Sequence, residues 1–313
     1  MKAIPCAQLI ARYEQEKTVR NARPLHFLGV EGYDVYNITP DFVWEGRHYI
    51  AGRVEKRDTE MSCVRFFERT QQEDTYAAVL PEMTFKDFQD PFVAVIGGEL
   101  VLGGVQVICD PLCYDRIFSW HTVFYRGKTL ESLKLFAEGP SHMKDIRLVE
   151  LADGRVGVFT RPQGVLGGLG KIGYLTLNSL DEVNEDNLLR AKIFDSHFLP
   201  EEWGGANEIH LLKNGKLGVV GHIAFRDAEK RALHYQSMAF VFDPETMEHT
   251  PLRLLARRED LYQGDECKRP DLHDVLFTGG LVRYGDGTAT LYTGVSDCLA
   301  YRAEIDDPFA AEV

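Results

Sequence analysis

The sequence predicts an all-β protein, a five-bladed β-propeller with a short N-terminal helical segment. Three observations predict it. Helical periodicity is scarce after about residue 25. Short apolar runs flank Gly-containing turns instead, which is the pattern of β-hairpins. Five such hairpins recur, with turn glycines at Gly46, Gly98, Gly154, Gly215 and Gly287, spaced 52, 56, 61 and 72 residues apart. A repeat of about 50 residues built on hairpins suits propeller blades. A β-sandwich with similar hairpins is the alternative, and recurrence along the whole chain favours the propeller.

Residues 1–24 form the expected helical extension. "MKAIPCAQLIARYEQEKTVRNARP" carries charge throughout, and Leu9, Ile10 and Tyr13 fall on one side of a short amphipathic helix. It has no apolar core of the kind a secretion signal needs, and no later run reaches transmembrane length.

Residues 25–313 are expected to be one propeller domain. Its inner hairpins are "DFVWEGRHYIAGRVE", "DPFVAVIGGELVLGGVQV", "DIRLVELADGRVGVFTRP", "NEIHLLKNGKLGVVGHIA" and "DVLFTGGLVRYGDGTATLYTGVSD". "MSCVRFFERT", "HTVFYRG", "IGYLTLNSL" and "MAFVFDPETMEHTPLRLL" supply outer strands. The second hairpin raises a question. Asp90-Pro91 stands directly before what reads as a strand buried on both faces, so Asp90 is either a turn residue or an acid held at a strand end for chemistry.

Composition narrows the function classes. The 313 residues are 44% hydrophobic and 27% charged, which is enough for a sizeable core. The formal net charge of −13 argues against a nucleic-acid partner, since phosphate contacts need clustered Lys and Arg. Of six scattered cysteines (6, 63, 109, 113, 267, 298), Cys109 and Cys113 have one loose metal-like spacing, but no partner His or Cys pair follows at zinc spacing, so reduced thiols and a cytoplasmic location are expected. No spaced ligand set supports a metal.

Polar residues cluster at the hairpin ends: Asn37, Arg53 and Glu55; Asp90; Lys144, Asp145 and Arg161; Asn207, Glu208 and His222; Asp274 and Asp297. In a propeller such ends converge on one funnel. One acid with cations nearby fits proton donation to a leaving oxygen. An inverting hydrolase also needs a carboxylate base for water, with Glu55, Glu208 or Asp274 as candidates. Phosphorolysis needs a cationic cradle instead, which Lys144, Arg161, Lys171, His222 and Tyr235 could build.

Several stretches carry a resemblance: "GYDVYNIT", "AGRVEKRD", "QDPF", "MKDIRLVELADGRVGVFTRPQG", "GGLGKIGY", "WGGANEIHLLKNGKLGVVGHIA", "YQSMAFVFD" and "DVLFTGGLVRYGDGTATLYTGVSD". Over about residues 25–309 the chain resembles the five-bladed mannoside phosphorylases of glycoside hydrolase family 130. It resembles still more closely the domain-of-unknown-function family 1861, which includes the glycosyltransferase family 108 enzymes of β-1,2-mannan. The resemblance implies Asp90 as general acid, Lys144, Arg161, His222 and Tyr235 at a phosphate site, and Asn37, Arg53 and Asp297 around the reacting sugar. It implies inversion, with phosphate attacking the anomeric carbon to give α-mannose 1-phosphate, and no cofactor beyond inorganic phosphate as co-substrate.

The chain departs from the wider family at "WGGANE", where a further Lys is common. Asn207 there, with Glu55 and Asp274, is expected to touch substrate, and Lys171 in the Gly-rich loop to touch an anion. Expected partners are a sugar or oligosaccharide, with no nucleic acid and no membrane; a homo-oligomer is left open. The alternatives are an inverting β-mannoside hydrolase, a GDP-mannose-dependent mannosyltransferase and a non-catalytic glycan-binding propeller.

Overall fold

Each hairpin places a strand pair on the path of an antiparallel meander, and the computed structural model describes these over residues 2–110, 112–227, 229 and 231–312. The first meander runs Asp34–Tyr36, Arg47–Glu55, Ser62–Arg69 and Thr75–Val79, with His26–Leu28 added in parallel. The second is Phe88–Ile96, Glu99–Asp110, Cys113–Gly127 and Lys134–Glu138. The third is Arg147–Glu150, Val156–Thr160, Gly173–Leu177 and Lys192–Ile193. Next come Glu202–Leu211, Leu217–Arg226, Leu233–Asp243 and Arg253–Ala256, then Asp274–Arg283, Thr288–Val295 and Leu299–Asp306.

Hydrogen bonding groups the described strands into four sheets, because a short parallel contact, His234↔Asp274 and Tyr235↔Val275, fuses the last two meanders. The result is a propeller-like β fold.

The apolar run of the second hairpin is explained by its neighbours. Leu100 and Leu102 face a cluster with Ala51, Val64 and Phe66 of the first meander. Val101 faces the opposite cluster, with Ile146, Leu148 and Val158 of the third. Alternate side chains thus enter different cores, and the period-2 polarity signal vanishes. Gly97 and Gly98, at φ 60° and 75°, make the tight turn, where left-handed backbone is needed at both positions.

The N-terminal segment differs from expectation. The helix spans only Cys6–Glu16, and Arg20–Pro24 is a strand paired with Leu299–Asp306. That strand is largely exposed and lacks apolar alternation, so only its partner's free edge specifies it. The helix buries Cys6, Leu9 and Tyr13 against a cluster containing Phe240, Leu252 and Leu254, with Ile10 partly covered. Its first turn has no side-chain cap; Glu202 Oε1 accepts from Cys6 N at 2.6 Å instead. Among the described residues no helix is long and apolar enough to cross a membrane, and Cys6, Cys63, Cys109, Cys267 and Cys298 are in no disulfide.

Two predictions follow from this packing. Leu9→Ala removes a side chain only 2% exposed and should lower stability by about 2–5 kcal/mol in chemical denaturation; an unshifted midpoint would detach the helix from the core. His197 is buried beside Phe194, Phe198 and Phe240, and among the described residues neither ring nitrogen has a hydrogen-bond partner. Burial, helped by His249, holds its pKa well below 6.5. Below that pH the unfolded chain binds a proton that the folded chain refuses. Stability should therefore fall as pH drops, by up to about 1.4 kcal/mol per pH unit from this residue. His197→Leu should flatten the slope, and an unchanged slope would remove His197 as its cause.

Candidate active site

The inner strands are irregular where they carry polar residues. The pairing jumps from Phe92↔Gly103 to Gln89↔Val105, so Asp90 and Pro91 together oppose Gly104. This is a β-bulge, and Pro91 costs the ladder no donor there. The strand starts at Phe88, so Asp90 lies inside it rather than before it. Its φ of 51° re-aims the side chain. Asn37, Asp145 and Asp297 share this left-handed backbone, at φ 45°, 58° and 52°. Short Asn and Asp side chains tolerate that region best after glycine. Gly294 makes room for one of them, since a Cβ there would sit 2.1 Å from Asn37 Oδ1.

At the acid end, Asp90 is 6% exposed. Its Oδ1 accepts from Asn37 Nδ2 at 2.8 Å and from Arg53 Nη1 at 3.5 Å. Arg53 donates through Nε to Glu55 at 2.7 Å and lies over the Tyr36 ring. Glu55 is also paired with Lys268, and Glu60 is shared by Arg53, Lys268 and Arg269. Burial raises the Asp297 carboxyl above its ordinary range; Arg53 opposes this and Asp90 adds to it.

At the cation end, Asp145 Oδ2 lies 3.2 Å from Arg161 Nη1. Burial alone would raise Asp145, but Arg161, His222, Lys144 and Arg147 together pull it down to about 2. Arg161 Nε donates to the Gly204 carbonyl. Lys144 lines the cavity with no carboxylate partner among the described residues. His222 is lowered to about 3, first by burial and then by Arg161, Lys144 and Arg147 against the pull of Asp145. It is therefore neutral near pH 7. Its ring stacks on Tyr235, whose hydroxyl accepts from Trp203 Nε1 at 3.0 Å.

Asn37, Arg53, Asp90, Lys144, Arg161, His222, Tyr235 and Asp297 line one cavity of about 220 Å³. A neighbouring cavity of about 600 Å³ shares Gln89, Lys144, Arg161 and Tyr235 and adds Trp120, Trp203 and Arg226. Another, of about 550 Å³, lies along Phe92–Val95, 147–152 and 207–211 and holds none of the acid–cation set.

Four expected contact residues stand outside the small cavity. Glu55 lies behind Arg53. Asn207 lies behind His222, its Oδ1 2.8 Å from Nδ1. Asp274 is held by His234 Nδ1 at 2.6 Å, and Lys171 by Asp195 at 2.5 Å. Sequence reasoning missed Glu60, Gln89 and Arg269, which do line it. Only Gln89, next to Asp90, had a local signal. Among the described residues no group of three His, Cys, Asp or Glu side chains converges for a metal.

None of the curated proteins matches this chain. Solved structures do. A mannose phosphorylase from Leishmania mexicana, in complex with phosphate ion, is 38% identical over 98% of this chain and 94% of its own, with a TM-score of 0.89. A GDP-Man-dependent mannosyltransferase from the same organism is 33% identical over 98% of this chain and 96% of its own, with a TM-score of 0.88. A β-1,2-mannobiose phosphorylase from Listeria innocua shares the fold at 15% identity, covering 92% and 94%, with a TM-score of 0.64. The family described as "protein of unknown function (DUF1861)" matches residues 11–311, nearly the whole chain, and it is to this family that the chain belongs.

Proposed function

We propose that this chain is an inverting mannoside phosphorylase. It would cleave β-linked mannosides, in first place β-1,2-mannooligosaccharides, with inorganic phosphate, and build them in reverse from α-mannose 1-phosphate. The observation that carries this is one cavity with a buried acid, Asp90, at one end and Lys144, Arg161, His222 and Tyr235 at the other. The 38%-identical mannose phosphorylase supports it. In this reading the meanders are five blades around one axis, with Arg20–Pro24 completing the last.

The geometry suggests how the steps divide. Asn37 and Arg53 both donate to Oδ1 of Asp90, which leaves Oδ2 to carry the proton. Asn37, Arg53 and Asp297 hold the sugar. Phosphate, held by Lys144 and Arg161, attacks the anomeric carbon as the bond to the leaving oxygen breaks. That oxygen takes the Asp90 proton, and the β-linkage becomes an α-phosphate.

The carboxylates considered as a base for water are otherwise engaged. Glu55 is tied to Arg53 and Lys268, Glu208 to His210 and the Leu281 N–H, and Asp274 to His234. This favours phosphate over water as nucleophile. A second reading is a GDP-mannose-dependent transferase. The larger cavity beyond Lys144 and Arg161, lined by Trp120 and Trp203, offers room for a nucleotide, and the 33%-identical transferase adds weight.

Incubation with α-mannose 1-phosphate and mannose should yield oligomers and release phosphate. Sugar release without phosphate would instead mark a hydrolase, and use of GDP-mannose a transferase. Asp90→Asn should cut turnover by about 10²–10⁴-fold with phosphate binding retained in calorimetry; turnover within a few-fold of wild type would reject Asp90 as the acid. Lys144→Ala should raise the phosphate KM by about 10–100-fold, the worth of a charge-assisted contact, and an unchanged KM would place the anion elsewhere.

A further inference from the structure

His222 faces the cavity with one ring nitrogen already committed. Its Nδ1 lies 2.8 Å from Asn207 Oδ1, and both side chains are 1% exposed. A bulge turns Asn207 inward, for it is the unmatched residue between Ala206↔Gly221 and Glu208↔Val220. An amide oxygen only accepts, so this contact places the ring proton on Nδ1. The ring is neutral, because burial and the nearby Arg161, Lys144 and Arg147 outweigh Asp145. A neutral imidazole has one N–H. Nε2, which has no protein partner among the described residues, is then a bare lone pair at the end of the cavity where Lys144 and Arg161 supply donors.

The structure assigns Asn207 as a positioning residue that holds His222 in the neutral, Nδ1-protonated tautomer, so that the site selects an oxyanion still carrying a proton. This rests on the phosphate reading of the cavity. Hydrogen phosphate offers Nε2 a P–OH and keeps bare oxygens for Lys144 and Arg161. Sulfate has the same shape and a similar charge but no proton near pH 7. One of its oxygens would meet the Nε2 lone pair directly, leaving a buried acceptor unsatisfied. That should favour phosphate by about 10–100-fold.

Two measurements test this. The first is the imidazole nitrogen NMR spectrum of unliganded protein labelled with ¹⁵N-histidine, with His222 assigned by its loss in His222→Gln. Expected is a protonated Nδ1 and an unprotonated Nε2. A protonated Nε2, which the opposite orientation of the Asn207 amide would produce, overturns the inference. The second is calorimetric binding of phosphate and of sulfate near pH 7.5, in wild type and in Asn207→Asp. A carboxylate on Nδ1 favours the doubly protonated ring, so Nε2 becomes a donor and the phosphate-to-sulfate ratio should collapse toward one. Equal wild-type affinity for the two ions, or a ratio unchanged in Asn207→Asp, overturns the inference and leaves the phosphate reading standing. Binding of neither ion overturns both. Should Asn207→Asp fail to fold, the wild-type spectrum and the wild-type ratio decide.

Discussion

Arg53 is a permanent charge almost wholly removed from water, and the acid half of the site is arranged around its need for partners. Glu55 and Glu60 neutralise it, Lys268 balances them, and the Tyr36 ring covers its face. Its remaining nitrogen reaches Asp90. Asp145 plays the mirrored part among Arg161, Arg147 and Lys144. Tyr36, Arg53 and Glu55 come from the first meander and Asp90 from the second, whereas Asp145, Arg147 and Arg161 lie in or beside the third. An unpaired member would be a buried charge in low dielectric, so the Arg53–Asp90 pair constrains how the first and second meanders approach.

Regular strands alone could not build this centre. A pleated strand sends alternate side chains to opposite faces, and both faces here serve the cores between sheets. The bulge at Asp90–Pro91 and the left-handed backbone at Asn37, Asp145 and Asp297 break that alternation. They direct polar side chains along the strand ends instead. Glycine supplies clearance where this brings chains together, as Gly294 does against Asn37. The third meander thus brings cations, and the fourth a neutral His222 and Tyr235, to an acid supplied by the second.

The hairpins were legible because turn glycines and short apolar runs are local signals. Asp90, Lys144, Arg161, His222 and Tyr235 could be named through the resemblance, and the fold brings them to one cavity. Other features depend on distant partners. Nothing near Asp274 in the sequence announces His234, and nothing near Lys171 announces Asp195. Glu60 and Arg269 meet across 209 positions. Asn207 stands behind His222 for a different reason. One bulged residue decides whether a side chain enters the cavity or stands behind it, and a pattern of period two cannot show that shift.

The pairing of Arg20–Pro24 with Leu299–Asp306 has a kinetic consequence. Thr18 and Asp306, joined by a hydrogen bond, are 288 positions apart. Closing a flexible loop of that length costs roughly 5 kcal/mol of chain entropy, by the logarithmic law for loop closure. The contact becomes affordable only after the intervening meanders have condensed and shortened the effective distance. Until then the edge Leu299–Asp306 is unpaired and open to a strand from another molecule. Pairing of these two terminal strands is therefore expected to be the late, slow event of folding, and the interval before it the one in which this chain is most exposed to misassembly.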